Sequence, residues 1–126
     1  SVAGGDAVQT NQILYNLSRR GIEFDLVPWS DERGMPLMAY SPMNQGSLGR
    51  DRRLEAIAER HDATPTQIAL AWVLRQKGVV AIPKAVRPDH VRRNRAALDI
   101  GLDEADLAEL DRAFPPPRRK VPLEMI

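Results

Sequence analysis

Three short apolar runs alternate with helix-patterned segments, and this alternation points to a parallel α/β sheet joined by right-handed crossovers. Asn11–Leu17 (NQILYNL) is rich in branched and aromatic residues and bounded by polar ones. Met35–Pro42 (MPLMAYSP) follows Gly34 and is almost continuously apolar, and Gly78–Pro83 (GVVAIP) places an unbroken apolar run after a glycine. Runs apolar on both faces predict a sheet covered on both sides, not a hairpin with one wet face.

Helices fill the intervals. In Arg50–His61, residues Leu54, Ile57, Ala58 and His61 recur at i, i+3, i+4 and i+7, giving a one-sided stripe that ends at His61, placed to interact with the helix C-terminus. Thr64-Pro65-Thr66-Gln67 is a helix start: Thr64 caps free amides, Pro65 suits the first turn, and Gln67 completes a capping box. The helix it opens, Pro65–Gln76, is apolar around most of its circumference and should be deeply packed, with Trp72 in the core. Pro88 opens another helix with Val91 and Leu98 expected inward. Asp103 caps a last one, with Leu102 and Leu107 as a hydrophobic staple and Leu107, Leu110 and Phe114 on one stripe. The prolines at 115–117 end regular structure.

Three strands alone would leave two apolar edges and cover little core, so the pattern reads as part of a larger wheel. The chain of 126 residues opens Ser-Val-Ala-Gly-Gly-Asp, without an initiator Met or a signal pattern, as though cut from something longer. Composition narrows the partners. Eighteen Lys and Arg face seventeen Asp and Glu, a net charge of +1, so no global field steers nucleic acid. No apolar run approaches the roughly 20 residues of a membrane helix. The absence of cysteine excludes disulfides and thiolate chemistry and fits a cytoplasmic home, and two isolated histidines argue against a metal site. There is no Ser–His–Asp set, paired-carboxylate site, Walker loop or GxGxxG.

Parallel α/β folds hold ligands at the carboxyl ends of their strands, and barrels often hold phosphate after the seventh and eighth. The second run ends in Tyr40-Ser41-Pro42, then Met43-Asn44-Gln45-Gly46-Ser47. A ring there can stack on a planar cofactor, with hydroxyl, amide and backbone donors beside it; the plainer alternative is a core tyrosine before an ordinary turn. The third run ends in Pro83-Lys84-Ala85-Val86-Arg87-Pro88 and leads directly into a helix. Lys84, Arg87, Arg92, Arg93 and Arg95 stand against Asp89 alone, and a cation beside a helix N-terminus suits an anion. The alternative is a solvated basic face paired with the acidic stretch 99–111, and Arg92 and Arg95 fit it best, whereas Lys84, Arg87 and His90 sit nearest the helix start. Gln12 could pair with an amide-bearing ligand or be a satisfied core polar group. Arg118-Arg119-Lys120 reads as a solvated tail that could also touch a ligand or partner.

Together, Thr10–Asn16 (TNQILYN), Met38–Pro42 (MAYSP), Thr64–Trp72 (TPTQIALAW), Val80–Ala85 (VAIPKA) and Asn94 followed by Leu102-Asp103 resemble, in order and spacing, the aldo-keto reductase family, in its compact bacterial branch. The resemblance covers about residues 6–114, leaving 115–126 as a C-terminal tail. It implies that residues 1–126 form the C-terminal part of a (β/α)8 TIM barrel, strands six to eight with their helices. It also implies NADP(H)-dependent reduction of aldehydes and ketones without metal or flavin. By position, Gln12 would hold the nicotinamide carboxamide and Tyr40 would stack on its ring. Ser41, Pro42, Met43 and Gln45 would line the pyrophosphate. Lys84, Ala85, Val86, Arg87, His90, Arg93 and Asn94 would surround the adenosine and its 2′-phosphate. Two positions depart from the family pattern: His90 stands where many relatives have arginine, and Arg93 where glutamate is common.

The resemblance places the catalytic Asp, Tyr, Lys and His before this region. Tyr15 and Tyr40 occupy other motif positions, so the chain alone is expected to lack turnover. Its partners would be a small carbonyl substrate and the missing barrel half, or a second copy through open sheet edges. Two alternatives stand beside this reading: a non-catalytic nucleotide-binding or interaction subunit, and a truncated product without independent function.

Overall fold

The computed structural model describes residues 5–126; the opening Ser1–Gly4 lies outside the described residues. Three parallel strands, β1 (Asn11–Leu14), β2 (Leu37–Tyr40) and β3 (Val79–Ile82), form one sheet in the order β1-β2-β3. Helix α1 (Leu26–Glu32) connects the first pair, and α2 (Glu55–Arg60) and α3 (Pro65–Leu74) connect the second. Helices α4 (Pro88–Ala96) and α5 (Glu104–Ala113) follow β3. In-register neighbours are Gln12, Met38 and Val80, and two residues on, Leu14, Tyr40 and Ile82.

Each strand is shorter than its apolar run. Tyr15, Asn16 and Leu17 leave the sheet yet stay buried, turning back through paired Asn16 and Arg19 backbone groups. Hydrophobicity marks burial, and burial continues past the strand wherever the chain turns inward. Within these residues the helices cover one face of the sheet. Ile13, Leu37 and Ala39 are buried against the helical layer, with Val79 and Ala81 packed on it. On the opposite face Gln12 is exposed, Met38 half-buried and Val80 51% exposed, while Leu14 on the same face is buried. That face carries no second layer among the described residues.

Helix α3 is the centre of the core, burying Ile68 through Val73 with Trp72 fully enclosed. Its capping box is as expected: the Gln67 amide N–H donates to Thr64 Oγ1, and the Gln67 side-chain oxygen accepts from the Thr64 N–H. Asp103 and Asp106 form the equivalent box on α5, and Leu110 and Phe114 are buried with Leu107 packed beside them. The Leu54, Ile57 and Ala58 stripe is buried, but its segment starts as a 3₁₀ turn, Arg52–Leu54, before α2.

Three further expectations are corrected. Val91 and Leu98 point outward, at 53% and 56% exposure, and α4 buries no residue of its own. Seven residues apart, they share a face, but the helix presents another: Gln67 Nε2 donates to the Arg93 carbonyl, and Ala97, just past α4, is the buried anchor. His61 ends α2, but its side-chain partner is Asp106 of α5, at 2.6 Å from Nε2. The acidic stretch pairs mainly elsewhere: Asp106 and Glu109 with Arg60, and Asp111 with Arg20, leaving only Arg95–Asp99 at 3.5 Å from the basic helix among the described residues.

Residues 115–126 have no helix or strand, yet they are anchored. Lys120 pairs with Asp25 at 2.9 Å, Glu124 with Arg19 at 2.8 Å, and Val121 lies so close to Gly21 that a Cβ there would meet it at 2.5 Å. The tail thus folds back over the connection between β1 and α1, where glycine allows the close approach.

Candidate functional site

Parallel strands bring all their carboxyl ends to one edge, and the candidate residues gather there. Tyr40 closes β2, half-buried and in register with Ile82 of β3, so the chain leaving β2 emerges beside Pro83 and Lys84. Gln12 lies two residues earlier along the register, on the same open face, about 7 Å down the strand from that edge. Its side chain is exposed among the described residues.

The segment after Tyr40 is bent into an uncommon shape. Ser41, Asn44 and Gln45 have φ of 50°, 47° and 54°, the left-handed region that L-residues seldom occupy, and Gly46 follows at 84°. Its bonds explain how the shape is held. The Ser41 carbonyl accepts from the Asn44 N–H and from Asn16 Nδ2, both at 2.9 Å, while Ser41 Oγ accepts from the Gln45 N–H at 3.2 Å. Asn44 and Ser47 then tie the next turn together through Nδ2–Oγ at 2.9 Å and Oγ–carbonyl at 2.8 Å. Pro42 and Leu48 are buried, fixing the segment to the body, and Gly49 passes so near Thr66 that a Cβ would meet its hydroxyl at 2.5 Å. Met43 is half-buried and Gln45 exposed. The result is a multiply hydrogen-bonded turn with hydroxyl and amide groups at the sheet edge.

After β3 the chain is more open. Lys84, Val86 and Arg87 are exposed and Ala85 half-buried. Lys77 and Lys120 face Asp31 and Asp25, whereas Lys84 faces no acid among the described residues. Arg87 stands at the N-cap of α4 without a capping side-chain bond, and its guanidinium is turned to Asp89 at 3.1 Å. His90 lies 3.8 Å from the same carboxylate. Positive charge at this helix start therefore comes chiefly from Lys84, added to the helix amides and dipole. Arg93 is exposed. Asn94 is half-buried and lines a groove of about 200 Å³ with Leu70, Ala81, Pro83 and Leu98.

Two features beyond the sequence reading stand out. Asn16, fully buried just past β1, reaches the Ser41 carbonyl; the signal was a lone amide inside an apolar run. The tail shapes a cavity of about 480 Å³ with Leu14, Ile22, Leu26 and Trp29. Among the described residues no group of three or more His, Asp or Glu is placed to hold a metal, and no helix is long and apolar enough to cross a membrane.

Comparison with known proteins gives this edge its context. The aldo/keto reductase family model matches residues 2–114. Methylglyoxal reductase YeaE of Escherichia coli is 45% identical over 128 residues, covering 98% of this chain and 45% of its own length. Probable aldo-keto reductase 1 of Glycine max is 33% identical over 82% of this chain and 39% of its own. The crystal structure of an aldo-keto reductase from Klebsiella pneumoniae in complex with NADPH superposes with a TM-score of 0.95 at 45% identity, covering 99% of this chain and 46% of that one. The chain thus spans less than half the length of these relatives, and its three parallel strands and their helices are part of the (β/α)8 barrel. A family match over nearly every residue, carried by a backbone that superposes almost throughout, makes this chain a member of the aldo/keto reductase family.

Proposed function

We propose that this chain supplies the NADP(H)-binding side of an aldo/keto reductase that converts aldehydes and ketones to alcohols. One observation carries the reading: an exposed amide (Gln12), a strand-end ring (Tyr40) with its braced turn, and an unpaired lysine (Lys84) at a helix start share one sheet edge and its open face. An amide matches the donor and acceptor of a carboxamide, a ring matches a planar base, and a lysine beside helix amides matches a phosphate. Relatives solved with NADPH and with NADP and acetate support the choice of cofactor.

When bound, the dinucleotide supplies the hydride. Gln12 and Tyr40 would hold its nicotinamide against the open face, in the position from which one ring face meets the substrate. Ser41, Pro42, Met43 and Gln45 would line the pyrophosphate. Lys84, with Ala85, Val86, Arg87, His90, Arg93 and Asn94, would enclose the adenosine and its 2′-phosphate. Reduction also requires a proton for the alkoxide, and the two tyrosines are poorly suited to give it. Tyr15 is fully buried and donates to Glu23 at 2.8 Å, and burial and that carboxylate push its pKa far above the ordinary value. Tyr40 is committed by this reading to stacking. The proton would then come from groups outside these residues, and the 126 residues alone would bind cofactor without turnover. A relative named methylglyoxal reductase supports a small aldehyde as substrate.

The test is Lys84→Met in the protein expressed from its complete reading frame. Loss of a charge-assisted phosphate contact should weaken NADPH binding by roughly 1–3 kcal/mol and leave NADH binding nearly unchanged. An unaltered NADPH dissociation constant would refute the phosphate role.

A further inference from the structure

We propose that Asn16 is a positioning residue for the dinucleotide: from the end of β1 it holds the turn after β2 in its binding shape. The inference rests on the cofactor reading above and extends it to a residue that touches no cofactor. Asn16 is fully buried, and its side chain is satisfied at both ends. Nδ2 donates to the Ser41 carbonyl at 2.9 Å, and Oδ1 accepts from the Ser18 N–H at 3.0 Å. Its backbone is clamped as well, by reciprocal bonds with Arg19. The amide therefore has one orientation, since exchanging its oxygen and nitrogen would set like groups against each other at both contacts.

What it holds is out of the ordinary. Ser41 adopts a φ of 50°, and it precedes Pro42, a position usually confined to extended backbone. Such a conformation persists only where surrounding bonds over-determine it. The Asn44 N–H belongs to the same turn and would follow it if it relaxed; Asn16 is the restraint that comes from outside the turn, from the segment just past β1. Without it the Ser41 carbonyl keeps only the Asn44 N–H of its own turn, and Ser41 can rotate toward the extended backbone usual before proline. That rotation would shift both the Tyr40 ring and the Ser41 hydroxyl, the groups assigned to nicotinamide and pyrophosphate. Lys84 and α4 lie after β3 and share no bond with Asn16, so the adenosine end would be left intact.

This asymmetry defines the experiment. In the protein expressed from its complete reading frame, Asn16→Leu removes the donor at nearly constant volume. Binding of NADPH and of 2′,5′-ADP, which carries only the adenosine phosphates, is measured by fluorescence and calorimetry, with circular dichroism as the check on folding. The expected result is about a tenfold rise in the NADPH dissociation constant, the scale of one to two lost hydrogen bonds, with 2′,5′-ADP within twofold of the parent. Asn16→Ser, too short to reach Ser41, should reproduce the split and stands in if the leucine variant does not fold. Equal weakening of both ligands, or no change in either, would overturn the positioning role. So would failure of both variants to fold, which would make Asn16 a folding residue. If the parent protein binds neither ligand, the cofactor reading itself fails and this proposal falls with it.

Discussion

Arg20 is the most heavily bonded cation in the described structure, and replacing it tests how the core is closed. The side chain is buried, and its Nε and Nη2 donate to the Glu23 carboxylate at 3.0 and 2.8 Å. Nη1 donates to Asp111 at 2.7 Å and to the Phe114 carbonyl, while the guanidinium lies 4.9 Å over the Trp72 ring. Burial pulls its pKa down, but the bonds to Glu23 and Asp111 more than reverse this. In Arg20→Met the losses are unequal. Asp111, 49% exposed, rehydrates and costs almost nothing. Glu23 keeps the Tyr15 hydroxyl but becomes a poorly hydrated carboxylate, costing about 2 kcal/mol. The buried Phe114 carbonyl and the stacking on Trp72 together account for about 1 kcal/mol more. A loss near 3 kcal/mol is a large share of the 5–15 kcal/mol typical of a domain. Urea unfolding, followed by tryptophan emission and circular dichroism, should show a lowered midpoint at unchanged slope. If the stranded charge is the main cost, adding Glu23→Gln to Arg20→Met should restore about 1–2 kcal/mol. A single-variant loss below about 1 kcal/mol, or a double variant no better than the single, would refute the reasoning.

Two further outcomes follow from buried acids. Burial pushes the Asp106 carboxyl up, but bonds from Arg60, His61 and the Asp103 amide carry it below the ordinary carboxylate value. The unfolded chain then takes up the proton first, near pH 4, so this contribution is present at neutral pH and fades as pH falls through the depressed folded value. Asp106→Asn should cost about 1–3 kcal/mol at pH 7 and flatten the acid limb of a plot of urea midpoint against pH. Tyr15 behaves oppositely: its raised folded pKa means that stability falls as pH climbs above about 10, and ultraviolet difference titration should show its phenol ionising only as the chain unfolds.

What could be read from sequence was what depends on neighbours along the chain. Thr64 with Gln67 and Asp103 with Asp106 cap their helices as three-residue spacing requires, and Tyr40 and Lys84 were recognisable as strand ends by the prolines and glycines around them. What could not be read was which way a face points. Val91 and Leu98 have the right helical phase, but the choice of presented face is made by Gln67 and Ala97 against α3. His61 had a partner beyond local reach in Asp106, 45 residues away. Asn16 and Ser41 are 25 residues apart, and only parallel pairing of β1 and β2 brings them together.

The sheet's two faces carry different residues, and the face turned away from the helices is the one that holds an exposed amide. The covered face carries Ile13, Leu37, Ala39, Val79 and Ala81, with Asn11 at its margin, as a largely dry interface with helices requires. The open face sets an amide, Gln12, in register with Met38 and Val80. A buried amide without a partner is costly, so a strand meant only to support a packed layer would carry an apolar residue there. An amide flanked by apolar neighbours suits a molecule that is flat, largely apolar and polar at one point. One register step on stands the Tyr40 ring, and past it the braced Ser41 turn and Lys84 supply the polar and charged groups that a phosphate-bearing ligand needs. In the proposed reading, the residues along this edge follow the order in which a dinucleotide presents its ring and its phosphates.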